Sequence, residues 1–370
     1  NLTLLTGNIG KEGSGINPLL GQNNGLGAFI MGATPNFYTD FQPVTDSNTR
    51  SKFEKFYKVS LPKNDGLTIR EMLNKAHEGE IKALFVMGTD VLMSEPDTKR
   101  VKKALKNLDL LVVLDIFMSN TAQYADVLLP AACFAEKDGT FTNIERRVQR
   151  VRKTTSPPGK AKADWKIITE LANQMGYPMD YQSPEAIWEE IRIVSPNFAG
   201  INYQRIENVG IQWPCPDMKH QGTKFLYDEK FPHGKASFSL TEREPFLEKT
   251  STNFPFILST GRTLYHFNTG SMTRRASGST QKQPYAFVEI SQDDADVASI
   301  KNGDMVRVST KRGEISLYAK ITSRVVSKQI WIPFHFLSAP VNLLTNASVS
   351  KDDFGFMPAY KACAAKIEKL

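Results

Sequence analysis

Between residues 70 and 132 the chain alternates two kinds of apolar spacing. Residues 70–80, REMLNKAHEGE, have helical spacing, and IKALFVMGTD at 81–90 is a short apolar run ending in Gly88, Thr89 and Asp90, which predicts a strand and then a tight polar turn. SEPDTKRVKKALKNL at 94–108 puts Val101, Ala104, Leu105 and Leu108 on one helical face, with Ser94 as its capping residue and Pro96 in its opening turn. DLLVVLDIF at 109–117 and YADVLLPAA at 124–132 are continuous apolar runs. Helices alternating with wholly apolar strands predict a doubly wound α/β domain built on a parallel sheet, extending over 22–160.

From Thr140 the pattern changes. TFTNIERRVQRVRK at 140–153 alternates as a strand or ribbon does, and TTSPPGKAKADW at 154–165 is a Pro/Gly break. Residues 161–252 read as a connecting segment that opens with the helix-like WKIITELANQMGY. From 253 to 370, FPFILST, YAFVEIS, DMVRVSTKRGEISLYAKI and QIWIPFHF supply several strands with turns at Asn302-Gly303 and Arg312-Gly313, and QDDADVASI one short helix. A small β-barrel is the expected fold of this last part.

Composition narrows the class. With 41% hydrophobic and 23% charged residues in 370, the chain is globular and long enough for two or three domains. It has no apolar run of about 18 residues that would span a bilayer. The three cysteines, Cys133, Cys215 and Cys363, lie far apart, so this chain alone builds neither a zinc site nor a cysteine-ligated cluster. Such low cysteine usage fits a reducing, cytoplasmic compartment. Residue 1 is asparagine and no signal peptide opens the chain, which reads as a processed or split product. The net charge of +7 suits nucleic acid or a phosphate-bearing cofactor equally.

Candidate chemistry sits in loops. NPLLGQNNGLGAFIMG at 17–32 sets the amides of Gln22, Asn23 and Asn24 among glycines, with Leu20 just before Gly21. Asp90 and Asp115, at the carboxyl ends of successive strands, either cap turns or accept paired hydrogen bonds from a guanine edge or a ribose. AEKDGTFTN at 135–143 is by itself an acidic turn. STGRTLYHFNTGSMTRR at 259–275 gathers Arg262, His266, Asn268, Thr269, Ser271, Thr273 and Arg274 around two glycines. That set suits a pyrophosphate or a pterin ring, or else a solvated basic loop. His77, His220, His233 and His335 have no partner at metal-ligand spacing and read as structural or surface residues. GxSxG, HExxH, Walker A and GxGxxG patterns are absent.

Taken together, LLTGNIGKEGSGINPLLGQNN, VMGTDVLMSEPD, LDIFMSNTAQYADVLLPAACFAEKDGTFTNIERRVQRVRK, PPGKAKADWKIITELANQMGYPM and STGRTLYHFNTGSMTRR resemble one family, in its order and spacing. The chain resembles the carboxy-terminal half of a formate dehydrogenase catalytic subunit, in the molybdopterin oxidoreductase (dimethyl sulfoxide reductase) superfamily. The resemblance implies two molybdopterin guanine dinucleotides holding molybdenum or tungsten, and two-electron conversion of formate to carbon dioxide. It implies that Gly21, Gln22 and Asn23 lie against a pterin. Gly88, Thr89, Asp90, Ser94 and Asp115 would receive a guanosine portion, with Glu136, Asp138, Gly139, Thr140 and Asp164 in the same cradle. Arg262, His266, Asn268, Ser271, Arg274 and Asn342 would be dinucleotide contacts of a six-stranded, double-psi-like barrel. Residues 1–21 would be the tail of a domain completed by an amino-terminal half.

That half, or a separate chain, would carry the [4Fe-4S] cluster and the cysteine or selenocysteine metal ligand, so this chain alone would not be active. An iron–sulfur or diaphorase-type electron-transfer subunit is the implied partner, with neither nucleic acid nor a direct membrane span. Two positions depart from the family pattern. Leu20 stands where an arginine that fixes formate is expected, and Leu114 where a glutamine precedes the DIF turn. The alternatives are the same cofactor with a non-formate substrate, and a cofactor-free scaffold or electron-transfer subunit of a larger redox complex.

Overall fold

Residues 1–232, 234–240, 246, 248–348 and 360–370 are described by the computed structural model, and His233 lies outside them. The chain passes back and forth between two units, Asn1–Thr68 with Ala131–Arg243, and Ile69–Pro130 with Glu244–Leu370.

In the second unit, the apolar runs form strands β1 (Ala83–Met87), β2 (Leu110–Asp115) and β3 (Val127–Pro130), parallel and in the order β1-β2-β3. Val86, Leu111 and Val113 pack against Leu73 and Ala76 of the helix Ile69–Glu78 and Val101, Ala104 and Leu105 of the helix Thr98–Lys106. Burying each of the larger side chains is worth about 1.5–3 kcal/mol. The second helix begins four residues later than its pattern suggested. Proline disfavours helical backbone in the residue before it, so Glu95 is extended ahead of Pro96, and Asp97 becomes the cap, accepting from the Arg100 N–H at 3.4 Å. Ser94 instead closes a short helical turn, Val91–Ser94.

The first unit holds the expected ribbon as an antiparallel hairpin, β4 (Gly139–Thr142) and β5 (Arg147–Val151), with β6 (Ile211–Gln212) beside β5. Val148 joins Ile30, Trp188, Phe198, Ile201 and Ile206 in its core. Two of its helices escaped the hydrophobic pattern. Ser47–Tyr57 is opened by Asp46, which accepts from the Thr49 N–H at 2.7 Å, and Pro184–Val194 by Ser183, which accepts from the Ala186 N–H at 3.2 Å.

Strands β7 (Phe256–Gly261), β8 (Phe287–Ile290), β9 (Met305–Ser309), β10 (Glu314–Ile321), β11 (Gln329–Pro333) and β12 (Cys363–Lys369) close a six-stranded barrel in the order β8-β10-β9-β12-β7-β11. Alternation along β10 sends Ile315, Leu317 and Ala319 inward to meet Leu258, Val288, Val306, Ile330 and Ile332. Two neighbouring pairs, β8 with β10 and β7 with β11, run parallel. The second places Gly261 opposite Pro333, so the chain leaves both strands side by side.

Candidate functional site

In the barrel-containing unit, the turn after β1 is built around Asp90. Its carboxylate is 4% exposed and accepts from the Asn120 N–H (3.1 Å) and side-chain amide (2.7 Å), and from the Thr121 N–H (3.1 Å) and hydroxyl (2.8 Å). Asp90 therefore positions the turn rather than offering free oxygens, the capping alternative of the two. Asp115 keeps one oxygen available. Its Oδ1 accepts from Ile116 and Phe117 N–H, and its Oδ2 has no partner among the described residues. Gly88 and Thr89 are exposed at the tip, the Gly88 N–H donating to Leu114 O at 2.8 Å. Leu114 itself is a core residue, 1% exposed. Asn342 is a tie: its amide donates to Met93 O (2.7 Å) and Ser94 O (3.1 Å), and its oxygen accepts from Thr345 (2.8 Å).

The loop that leaves β7, Gly261–Arg275, is the richest cluster. His266 is buried, with Nε2 2.9 Å from Gln283 O and Nδ1 3.2 Å from Thr273 Oγ1. A carbonyl only accepts, so Nε2 carries a proton, and Nδ1 and the Thr273 hydroxyl form the second bond. Arg262 Nη2 donates to Asn268 Oδ1 at 3.3 Å, and Ser271 and Thr269 share a hydroxyl contact of 2.9 Å. Arg274 Nη1 donates to His335 O at 3.2 Å. Burial and adjacent Arg275 pull the Arg274 guanidinium below its usual pKa, while the Asp90 charge opposes them. Gly270 has φ +77°, and a Cβ there would lie 2.8 Å from Arg274 Cδ and 3.0 Å from His335 O, so only glycine lets these groups close up.

Arg275 binds the loop after β2 to the same cluster. It donates to Met118 O at 3.0 Å and covers the Phe117 ring at 4.7 Å. The structure thus gathers Asp90, Asp115 and the Arg262–Arg274 loop in one unit. Leu264, Tyr265 and Phe267 leave apolar surface exposed beside the guanidiniums.

In the other unit, Gly21, Gln22 and Asn23 are exposed ahead of the helix Gly25–Ile30, and among the described residues neither side-chain amide has a partner. Asn24 does the holding: its Oδ1 accepts from the Thr142 N–H at 2.8 Å, at a contact too close for a Cβ on Gly27. Half-buried Leu20 lies over Gly25, 3.4 Å from where a Cβ would stand. Glu136 caps its own turn, accepting from the Cys133 N–H at 2.9 Å. Asp138, Gly139, Thr140 and Asp164 line one cleft of about 280 Å³, together with Lys137, Trp165 and Tyr203. Lys137 is ion-paired to Asp164, Asp138 accepts from the Lys153 N–H at 3.1 Å, and the Thr140 hydroxyl is unengaged among the described residues.

Asn24 is legible in the sequence among the loop amides, and folding supplies its Thr142 partner. His335, Arg275, Trp165 and Tyr203 are not legible as parts of these clusters, because they meet their partners only through folding. Among the described residues, no group of three or more metal-ligating side chains exists, and no helix is long and apolar enough to cross a membrane.

Comparison with known proteins decides the family. The profile of the molybdopterin oxidoreductase family matches residues 1–174, and that of the molybdopterin dinucleotide-binding domain matches 256–364. Over its whole length the chain is 47% identical to the F420-dependent formate dehydrogenase alpha subunit of Methanocaldococcus jannaschii and 37% identical to formate dehydrogenase H of Escherichia coli. The chain belongs to the molybdopterin oxidoreductase family. This molybdopterin oxidoreductase chain spans about half the length of the curated relatives it matches, 55% and 52% of the two just named. Acetylene hydratase from Pelobacter acetylenicus shares the fold, with a TM-score of 0.66 at 19% identity over 88% of this chain and 50% of that one.

Proposed function

We propose that this chain is the dinucleotide-holding half of a molybdenum or tungsten formate dehydrogenase, assembled with a half that carries the [4Fe-4S] cluster and the metal ligand. The observation that carries the reading is the 47% identity across the entire chain to a formate dehydrogenase alpha subunit. When bound, the metal–pterin group would supply two-electron chemistry between formate and carbon dioxide. The local structure fits such a group. Among the described residues, the buried Thr263 hydroxyl in the Arg262–Arg274 loop has no partner, and the two guanidiniums of the same loop suit phosphate charge. Gln22 and Asn23 present uncommitted amides of the kind that pair with a pterin edge.

On this reading, Arg262 and Arg274 hold phosphates, Ser271 and Asn268 orient them, and the Asp115 Oδ2 accepts from a guanosine. Thr140 and Asp164 line the cleft of their own unit for the same ligand class. Asp90, His266, Glu136 and Asn342 act through the backbone they fix. Relatives named as alpha subunits support a multi-subunit assembly, in which an iron–sulfur or diaphorase-type subunit takes the electrons. We place the assembly in the cytoplasm.

Leu20 supports a second reading, the same cofactor with a less anionic substrate. An arginine would give a carboxylate a charge-assisted hydrogen bond worth about 1.5–3 kcal/mol, and the half-buried leucine over Gly25 offers none. The test is formate-dependent dye reduction by the complete, metal-loaded complex. Activity supports formate dehydrogenase. A metal-loaded complex inert to formate removes the substrate assignment, and a complex free of pterin leaves the scaffold.

A further inference from the structure

His335 is fully buried, two residues beyond the end of β11. Because β11 and β7 run parallel with Pro333 opposite Gly261, it comes level with Thr263, two residues beyond the end of β7. Its Nε2 lies 2.9 Å from the Thr263 N–H and its Nδ1 2.5 Å from Asn268 O. An amide N–H only donates and a carbonyl only accepts, so both bonds form with one species alone, the neutral ring protonated at Nδ1. The rest of the loop is attached to the same residue. Arg274 donates to the His335 carbonyl, and Arg262 to the side chain of Asn268, whose own carbonyl the ring holds. Asn268 has a left-handed backbone, φ 49°, which needs such support.

We propose that His335 is a positioning residue, which as a single neutral tautomer holds the loop Gly261–Arg275, and with it Arg262 and Arg274, in the shape offered to the dinucleotide. The claim rests on the function proposed above for that loop. Adding a proton at Nε2 would set two donors against each other across 2.9 Å. The groups facing the ring are His266, 5.5 Å away between ring centres, with Arg262 and Arg274, and all three disfavour an imidazolium. Phe334 and Phe336 complete the surroundings. Burial, the largest cause, holds the His335 pKa down to about 4. The neutral ring thus contributes its stabilisation fully above the unfolded value of about 6.5, and loses it as pH falls toward 4.

Hydrogen exchange of the native assembly, read as protection factors from pH 7.5 to 4, tests this. The Thr263 amide and those of 264–275 should lose protection by about tenfold or more as the ring protonates, while the strands of the barrel keep theirs. His335→Gln, which supplies a non-titrating acceptor at the Nε2 end, should protect the Thr263 amide without the pH step. His335→Phe should leave the loop unprotected at every pH. Loop protection that follows the barrel at all pH values, or an unchanged pH step in His335→Gln, would overturn the proposal, and both are readable if the Phe variant does not fold. Pterin released from the same wild-type sample separates the two claims. A pH step in protein without pterin supports His335 as a positioning residue and removes the dinucleotide reading.

Discussion

The two amide- and charge-rich loops of this chain are built in opposite ways. Around Gly261–Arg275 nearly every polar group is tied down by the chain itself, through His266, His335, Asn268 and Arg275. Around Gly21–Asn23 the side-chain amides are exposed and unengaged among the described residues, and the neighbouring Asn24 anchors the loop. The first is preorganised, so its side chains give up little freedom on binding. The second must be ordered by its ligand, at about 0.5–1.5 kcal/mol for each side chain immobilised. A change in the first should therefore register as stability, and a change in the second as ligand retention.

The contrast is broken most severely at Asp90, which belongs to the preorganised group. Asp90→Ala strands four donors in a buried turn, and an unfolding midpoint should report a loss of about 3 kcal/mol or more. Gly270→Ala should cost about 1–3 kcal/mol on the same measurement, because its Cβ meets Arg274 and the His335 carbonyl at a positive φ. Leu20→Arg sharpens the other side. It should leave stability within about 0.5 kcal/mol and lower the KM for formate by roughly 10- to 100-fold, measured by steady-state dye reduction. An unchanged KM would mean that leucine does not limit formate use. The smallest effect on stability is expected for Gln22→Ala, within about 0.5 kcal/mol, accompanied by lower dinucleotide content in the purified protein. If Gln22→Ala destabilises as much as Asp90→Ala does, the distinction between the loops fails.

Local pattern made much of this fold legible. Apolar runs at 83–87, 110–115 and 127–130 became parallel strands, and alternation at 314–321 became a barrel strand, because burial on one or both faces leaves a period in the sequence. Strand β12 was not readable in CAAKIEK, where Cys363, Ala364 and Ala365 are all buried and alanine has little strand preference. The helix at Thr98 was misplaced because a serine four residues earlier resembles a cap, and the proline between them decides otherwise.

Site residues divide on the same line. The donors of Arg262–Arg274 and the amides of Gln22 and Asn23 stand together in the sequence. That Asp90 is saturated by Asn120 and Thr121, and that His335 meets Thr263, depends on which strands pair and in what register. No local pattern encodes that.

The central claim, that this chain holds a molybdopterin dinucleotide, is tested most directly by hydrolysing the purified native assembly and measuring guanosine monophosphate released per chain together with the fluorescence of the oxidised pterin. A chain that holds a pair of dinucleotides yields both products, with two nucleotide equivalents for each chain. A folded assembly that yields neither would contradict it.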